Sequence, residues 1–137
     1  MLIDTNILIY AINEDSPKHK VAKKFLSESK VILVVSHQVI FEAIRVLTHP
    51  KFSMPMESPS AVKSISAIAE ACQIITPNQK TYYLTLELIK QFSLGGNRIF
   101  DAYLAATAIT NEIYEIATDN TKDFKRFTEL KIINPFV

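Results

Sequence analysis

Four acidic residues stand in settings where a carboxylate is unfavourable unless something uses it: Asp4, Glu42, Asp101 and Asp119. Asp4 closes the short apolar run that begins at Met1. Glu42 is the only acid in the segment HQVIFEAIRVLTH. Asp101 lies near the start of RIFDAYLAATAITN, whose later positions are almost all alanine or aliphatic, and Asp119 follows the run Glu115 to Thr118. Each has a structural alternative. Asp4 and Asp101 suit the start of a helix, where a carboxylate satisfies free backbone N–H groups and the helix dipole. Glu42 has Arg45 three residues on, a pair worth only ~0.3 kcal/mol if exposed. The stretch Asp119-Asn120-Thr121 is turn chemistry in its own right. Gathered at one place, however, the carboxylates would repel one another and trap a cation. Hard oxygen donors of this kind suit Mg²⁺ or Mn²⁺, which keep several of their waters. Such an ion can activate water for in-line attack on a phosphodiester and stabilise the leaving oxygen. The sequence offers no Ser-His-Asp set, no glycine-rich phosphate loop and no Cys/His cluster to support another chemistry.

The elements that must position these acids follow from periodicity. Met1 to Ile3 reads as a strand and ILIYAI as the helix after it, with Thr5 and Asn6 placed to fix the Asp4 side chain. Ser16 and Pro17 have the pattern of an N-cap and first helical residue, for a helix whose apolar face is Val21, Ala22, Phe25 and Leu26. Lys18, His19, Lys20, Lys23 and Lys24 crowd its first half, either as a solvated face or as a track for a phosphate backbone. Val31 to Val35 is predicted as a buried strand and Ser36 as the cap of the Glu42 helix. His37 and His49, twelve residues apart, have no zinc-site spacing and read as polar or boundary positions. The segment Pro50 to Pro59 is a loop, and Ser58-Pro59 opens a helix with Val62, Ile65, Ile68, Ala69 and Cys72 at helical spacing. Gln73 to Thr76 is a strand stopped by Pro77. Asn78 caps a helix reaching Phe92, in which Tyr82, Tyr83, Leu86, Ile89 and Phe92 are expected in the core. The Asp101 helix leaves a Gly95-Gly96 turn, and strands at Glu115 to Thr118 and at LKII complete the chain. This alternation predicts a single α/β domain with a mainly parallel sheet and helices on both faces. In such a sheet all four acids converge on one edge, where open parallel sheets hold their ligands.

Composition narrows the field. The 137 residues are 48% hydrophobic, enough for one real core, and carry a net charge of +1, so nucleic-acid binding would rely on local patches. The single cysteine, Cys72, excludes an internal disulfide and a cysteine-rich zinc site. No basic leader precedes the first strand, and the longest apolar run, VILVV, is far too short to span a bilayer. A soluble cytoplasmic domain with no membrane contact is expected.

These segments resemble the PIN-domain ribonucleases, and more narrowly the VapC toxins of type II toxin–antitoxin pairs. LIDTN at 2–6 is similar to the family's opening motif, and FEAIRVLTHPKF at 41–52 to the segment bearing its second acid. GGNRIFDAYLAATA at 95–108 resembles the third-acid helix with its glycine approach. TDNTKDFKRF at 118–127, followed by LKIINPF at 130–136, resembles the closing motif. The resemblance implies a three-layer α/β/α domain, a divalent-metal site from Asp4, Glu42, Asp101 and Asp119, and cleavage of RNA to 5′-phosphate and 3′-hydroxyl ends. It also implies a homodimer and an antitoxin whose tail obstructs the active site. Family members differ in which residue of the closing motif supplies the fourth ligand. Asp119, nearest the strand end, is the expectation; Asp123 is the alternative, bracing the Phe124 turn or binding metal through water. Thr5, Asn6, Thr118 and Asn120 are expected to orient the acids. Arg98, Lys122 and Arg126, with Lys20 and Lys24, are candidate phosphate contacts. The rival readings are a catalytically silent PIN fold that binds RNA or an antitoxin, and a DNA-directed nuclease of the same fold.

Overall fold

The computed structural model describes residues 1–137. Its strands are β1 (Leu2–Ile3), β2 (Val34–Ser36), β3 (Gln73–Ile75), β4 (Glu115–Ala117) and β5 (Lys131–Ile133). They form one parallel sheet in the order β3-β2-β1-β4-β5. The helices are α1 (Thr5–Ile12), α2 (His19–Glu28), α3 (His37–Thr48), α4 (Ser58–Ala69), α5 (Gln79–Phe92), α6 (Arg98–Thr110) and α7 (Thr121–Phe124). Successive residues of a strand point to opposite faces. Leu2 and Ile3 are both buried, as are Val34, Val35, Ile116 and Ala117, so helices cover both faces of the sheet's centre. α1 packs against α2, α3 and α4, and α5 against α6.

The strand order places a switch point beside β1. From β1 the chain proceeds to β2 and β3 on one side, and later to β4 and β5 on the other. At such a point the helices diverge and leave a crevice beyond the carboxyl ends of the strands. Ile3 pairs with Ala117, and the Asp4 amide donates to the Ala117 carbonyl at 3.0 Å. The residues just past β1 and β4 are therefore neighbours at the crevice floor.

Several boundaries differ from the sequence expectation. The strand expected over Val31 to Val35 is Val34–Ser36, and Ile32 is 72% exposed. Leu2, the first residue of β1, pairs with Val34. The helix expected at Ser16-Pro17 begins at His19, because Ser16 closes a turn by accepting from the Lys18 amide at 3.1 Å. Val21 and Val62 are exposed rather than core.

The largest correction concerns α5. Tyr82 and Tyr83 are 62% and 67% exposed, and Leu86 is exposed too, while Thr81, Thr85 and Leu88 are buried; Ile89 and Phe92 pack partly buried on the core as expected. Threonines can take the inner face because their hydroxyls are satisfied there. Thr81 Oγ1 lies 2.7 Å from Thr110 Oγ1 on α6 and accepts from the Asn78 amide at 2.9 Å. Thr85 Oγ1 donates to the Thr81 carbonyl at 2.7 Å. Their small size lets α5 approach the alanine-rich α6 closely. In α6, Ala102 and Leu104 to Ala108 are buried, whereas its first residues Arg98, Ile99 and Phe100 are exposed. Cys72 lies half-buried past the end of α4, and burial pushes its thiol pKa up, so it is an unreactive thiol.

Thr81→Val keeps the shape but removes both the capping bond and the link to Thr110. It is expected to lower unfolding free energy by about 1–2 kcal/mol in urea titrations, leaving the chemistry of the crevice intact.

Candidate active site

Asp4 is the last residue before α1 and also its N-cap. Its Oδ1 accepts from the Thr5 amide at 2.7 Å, while Oδ2 accepts from Thr118 Oγ1 at 2.7 Å and Asn6 Nδ2 at 3.0 Å. The capping alternative and the site reading therefore describe the same side chain. Asp4 is only 7% exposed. Burial pushes its pKa up, hydrogen bonds from Thr118 and Thr5 oppose the rise, and the Glu42 charge adds to it. Asn6 does double duty, donating to Asp4 and to Thr118 Oγ1 at 3.2 Å while its Oδ1 accepts from the Asp119 amide at 3.1 Å. Thr118 Oγ1 also accepts from the Asn120 amide at 2.9 Å. The ends of β1 and β4 are thus laced together around one carboxylate.

Glu42 reaches the same place from α3. Ser36 starts that helix by accepting from the Val39 amide at 3.2 Å, which sets Glu42 in its second turn. Its carboxylate does not pair with Arg45, which takes part in no ion pair. Instead Oε2 accepts from Thr5 Oγ1 at 3.0 Å and Oε1 from Gln38 Nε2 at 3.1 Å. Asp101 occupies the first turn of α6, half-buried, beyond an Asn97 N-cap that makes no side-chain bond. Its pKa is raised from the ordinary 3.8 to about 6, first by burial, then by the charges of Asp123, Asp4 and Glu42, with Arg126 pulling the other way. No hydrogen bond is among the influences on it.

The closing motif divides in two. Asp119 has partners of its own: its Oδ2 pairs with Lys18 Nζ and accepts from Tyr10 OH at 3.0 Å. The Lys18 ammonium holds the Asp119 carboxyl below its usual range. Lys18 also sits 5.3 Å and 5.2 Å from the Tyr10 and Phe136 ring centres. Asp123, on α7, is by contrast the strongest of the charges acting on Asp101, and Asn120 Nδ2 donates to its Oδ2 at 2.7 Å. Asp123, Asp4 and Glu42 all lie near enough to act on the Asp101 charge, and Asp119 is not among the charges acting on it. Of the expected phosphate contacts, Arg126 faces Asp101, and Arg98 and Lys122 are exposed at the starts of α6 and α7. Lys20 and Lys24 lie exposed on α2, and Lys24 lines a separate cleft with Phe25 and Pro135. Gln38 and Tyr10 were not singled out from the sequence as site residues, and Lys18 was read only as part of a basic helix face. Only Gln38 left a signal, its position one helical turn before Glu42 on the same face.

Glu42 and Asp101 open onto a cleft of about 830 Å³ between α3 and α6, whose walls include Gln38, Phe41, Arg45 and Phe100. No three Asp, Glu, His or Cys side chains are drawn close enough to clasp an ion directly. The donor set nonetheless fits a hard cation that retains its waters. It is all oxygen and open to solvent on one side, and Asp101 is destabilised as an anion by like charges.

The PIN domain profile matches residues 1–130, and the chain belongs to that family. Within it, the chain is 32% identical to "Ribonuclease VapC24" of Mycobacterium tuberculosis, the alignment covering 97% of this chain and 94% of the relative. "Ribonuclease VapC43" of the same organism is 27% identical, over 98% and 95%. Among solved structures, VapBC2 from Rickettsia felis, bound to a DNA fragment from their promoter, superposes with a TM-score of 0.72 at 23% identity, covering 97% of this chain and 96% of that one. VapC20 of Mycobacterium tuberculosis, described as a Sarcin-Ricin loop cleaving toxin, gives 0.71 at 17% identity, over 92% and 93%. These likenesses bear out the expected fold.

Asp101 titrates higher in the folded chain than in the unfolded one. Between about pH 4 and 6 the folded state holds the extra proton, so stability falls as pH rises through that window. A rise from 3.8 to about 6 would amount to roughly 3 kcal/mol at full burial, and screening at this half-exposed group reduces it to about 1–2 kcal/mol. Asp101→Asn is therefore expected to stabilise the metal-free protein by that amount near neutral pH, with the gain vanishing below about pH 4. Urea unfolding in chelator at both pH values checks it.

Proposed function

We propose that this protein is a metal-dependent endoribonuclease acting as the toxin of a toxin–antitoxin pair. The observation that carries the reading is that Asp123, Asp4 and Glu42 all act on a half-buried Asp101, their charges adding to burial in lifting its pKa to about 6. A scaffold has no use for that repulsion, whereas a cation removes it. The relatives named as ribonucleases align along nearly their whole length, which supports the same activity here.

Asp4, Glu42 and Asp101 are the proposed ligands, with Asp123 rather than Asp119 as the fourth, since Asp119 is already neutralised by Lys18. A bound Mg²⁺ or Mn²⁺ would supply Lewis acidity at the scissile phosphate and make a hydroxide nucleophile accessible near neutral pH. The chain does the rest. Thr118, Asn6 and the Thr5 amide hold Asp4 in one rotamer, and Thr5 and Gln38 hold Glu42. Asp101, free of hydrogen bonds, would offer its oxygens to the ion. Arg126, Arg98 and Lys122 would take the flanking phosphates, and attack on phosphorus with departure of the 3′-oxygen leaves a 5′-phosphate. Loops of transfer or ribosomal RNA are the proposed substrates. Tyr82, Tyr83 and Leu86 on α5 offer an exposed apolar face suited to a homodimer, and an antitoxin would close the cleft beside Glu42. No helix is long and apolar enough to cross a membrane, in keeping with action on RNA in the cytoplasm.

Antitoxin-free protein incubated with pooled transfer and ribosomal RNA is expected to give discrete cuts with Mn²⁺ or Mg²⁺ and none with chelator. Asp101→Asn and Asp123→Asn should each slow cleavage about 100-fold or more. Asp119→Asn should keep most cleavage but melt at lower temperature. Equal cutting by wild type and Asp101→Asn would sink the proposal, as would RNA binding without cutting. Preferential cutting of a matched DNA strand would transfer it to DNA.

A further inference from the structure

We propose that Gln38 is a positioning residue that fixes the Glu42 carboxylate relative to the Asp101 turn. The inference rests on reading Glu42 and Asp101 as cation ligands. Gln38 lies one turn before Glu42 on α3, and its Nε2 donates both to Glu42 Oε1 at 3.1 Å and to the Phe100 carbonyl at 3.0 Å. Phe100 immediately precedes Asp101. One amide group thus ties the side chain of the second acid to the backbone that carries the third. On its other oxygen Glu42 is held by Thr5, the neighbour of Asp4. The series Thr5, Glu42, Gln38, Phe100 runs from the end of β1 across α3 to α6 and links all three acids.

The amide orientation is chemically determined. A carboxylate and a carbonyl can only accept, so the NH₂ end must face them. Gln38 Oε1 is consequently turned into the protein, where it is buried with no hydrogen-bond partner. It is the one buried side-chain polar atom of the chain left unsatisfied. An orphaned acceptor destabilises a fold. A purely structural position would be better filled by an apolar side chain of similar length. A glutamine here trades stability for the location of a carboxylate on the cleft wall, the kind of local inconsistency expected at a functional site.

The test compares wild type with Gln38→Met, which keeps length and removes both the donor and the orphan. Gln38→Asn, too short to reach both acceptors, serves as a second variant should the first fail to fold. On the full chain, melting temperature, Mn²⁺ affinity by titration calorimetry, and kcat and KM for RNA cleavage are measured. The expected result is an unchanged or raised melting temperature, Mn²⁺ affinity weakened about 10-fold, and a fall in kcat with KM unmoved. A lowered melting temperature with wild-type Mn²⁺ affinity would make Gln38 merely structural and overturn the proposal. Asp101→Asn in the same titration separates the two levels. If it weakens Mn²⁺ binding while both Gln38 variants bind as wild type, only the role of Gln38 fails. If it binds like wild type, the reading of the acids as ligands fails, and the role of Gln38 with it.

Discussion

The hydrogen bond from the Asp4 amide to the Ala117 carbonyl is the constraint on which the site depends. It carries the β1–β4 pairing one residue beyond the strands and fixes where both chains leave the sheet. Because Ile3 is in register with Ala117, Asp4 must emerge beside Thr118. Thr118 can then donate to Asp4 while receiving the Asn120 amide. A slip of one residue would turn Asp4 to the opposite face and leave these groups without partners. β1 is only two residues long, so the register rests on a handful of bonds and on the burial of Leu2 and Ile3 on both faces.

From that anchor the acids occupy graded environments. Asp4 is the most buried and has the most donors, which oppose but do not cancel the rise in pKa that burial imposes. Glu42 has one donor on each oxygen. Asp101 has none and carries the rise to about 6. Burial and the neighbouring charges therefore both act on a cleft-lining carboxylate that no hydrogen bond relieves. Alanines make this geometry possible. Ala102, Ala105, Ala106 and Ala108 of α6, which packs on α5, are fully buried, and bulkier residues there would displace its first turn and Asp101 with it.

Asp4, Glu42 and Asp101 were legible in the sequence because each is a lone acid within or beside an apolar segment, where burial without purpose would be unfavourable. The alternation of elements likewise made the parallel sheet legible. The closing motif was not, because Asp119 and Asp123 sit in equally plausible turn chemistry. What separates them is Lys18, 101 residues away in sequence, whose destination depends on how α2 lies against α1. The inner face of α5 was misjudged for a related reason. Local pattern favours tyrosine over threonine for burial, but Thr81 meets the Thr110 hydroxyl on α6 only once the chain has folded. In both cases a long-range partner decided what local propensity left open.

The same electrostatics constrain how a polyanion could approach. With a net charge of +1 the molecule offers no general attraction to nucleic acid, and at the cleft a phosphate meets Glu42 and Asp101. Without a cation that encounter is between like charges in a partly desolvated setting, where repulsion is strongest. Arg126 acts on Asp101, and its single charge cannot offset those of Asp4, Glu42, Asp101 and Asp123. Lys18 does not help, since Asp119 consumes its charge. A divalent ion held there would cancel the carboxylates' mutual repulsion and attract a phosphate. On the proposed reading, the acids and the basic residues around them would favour a polyanion only with a cation in place.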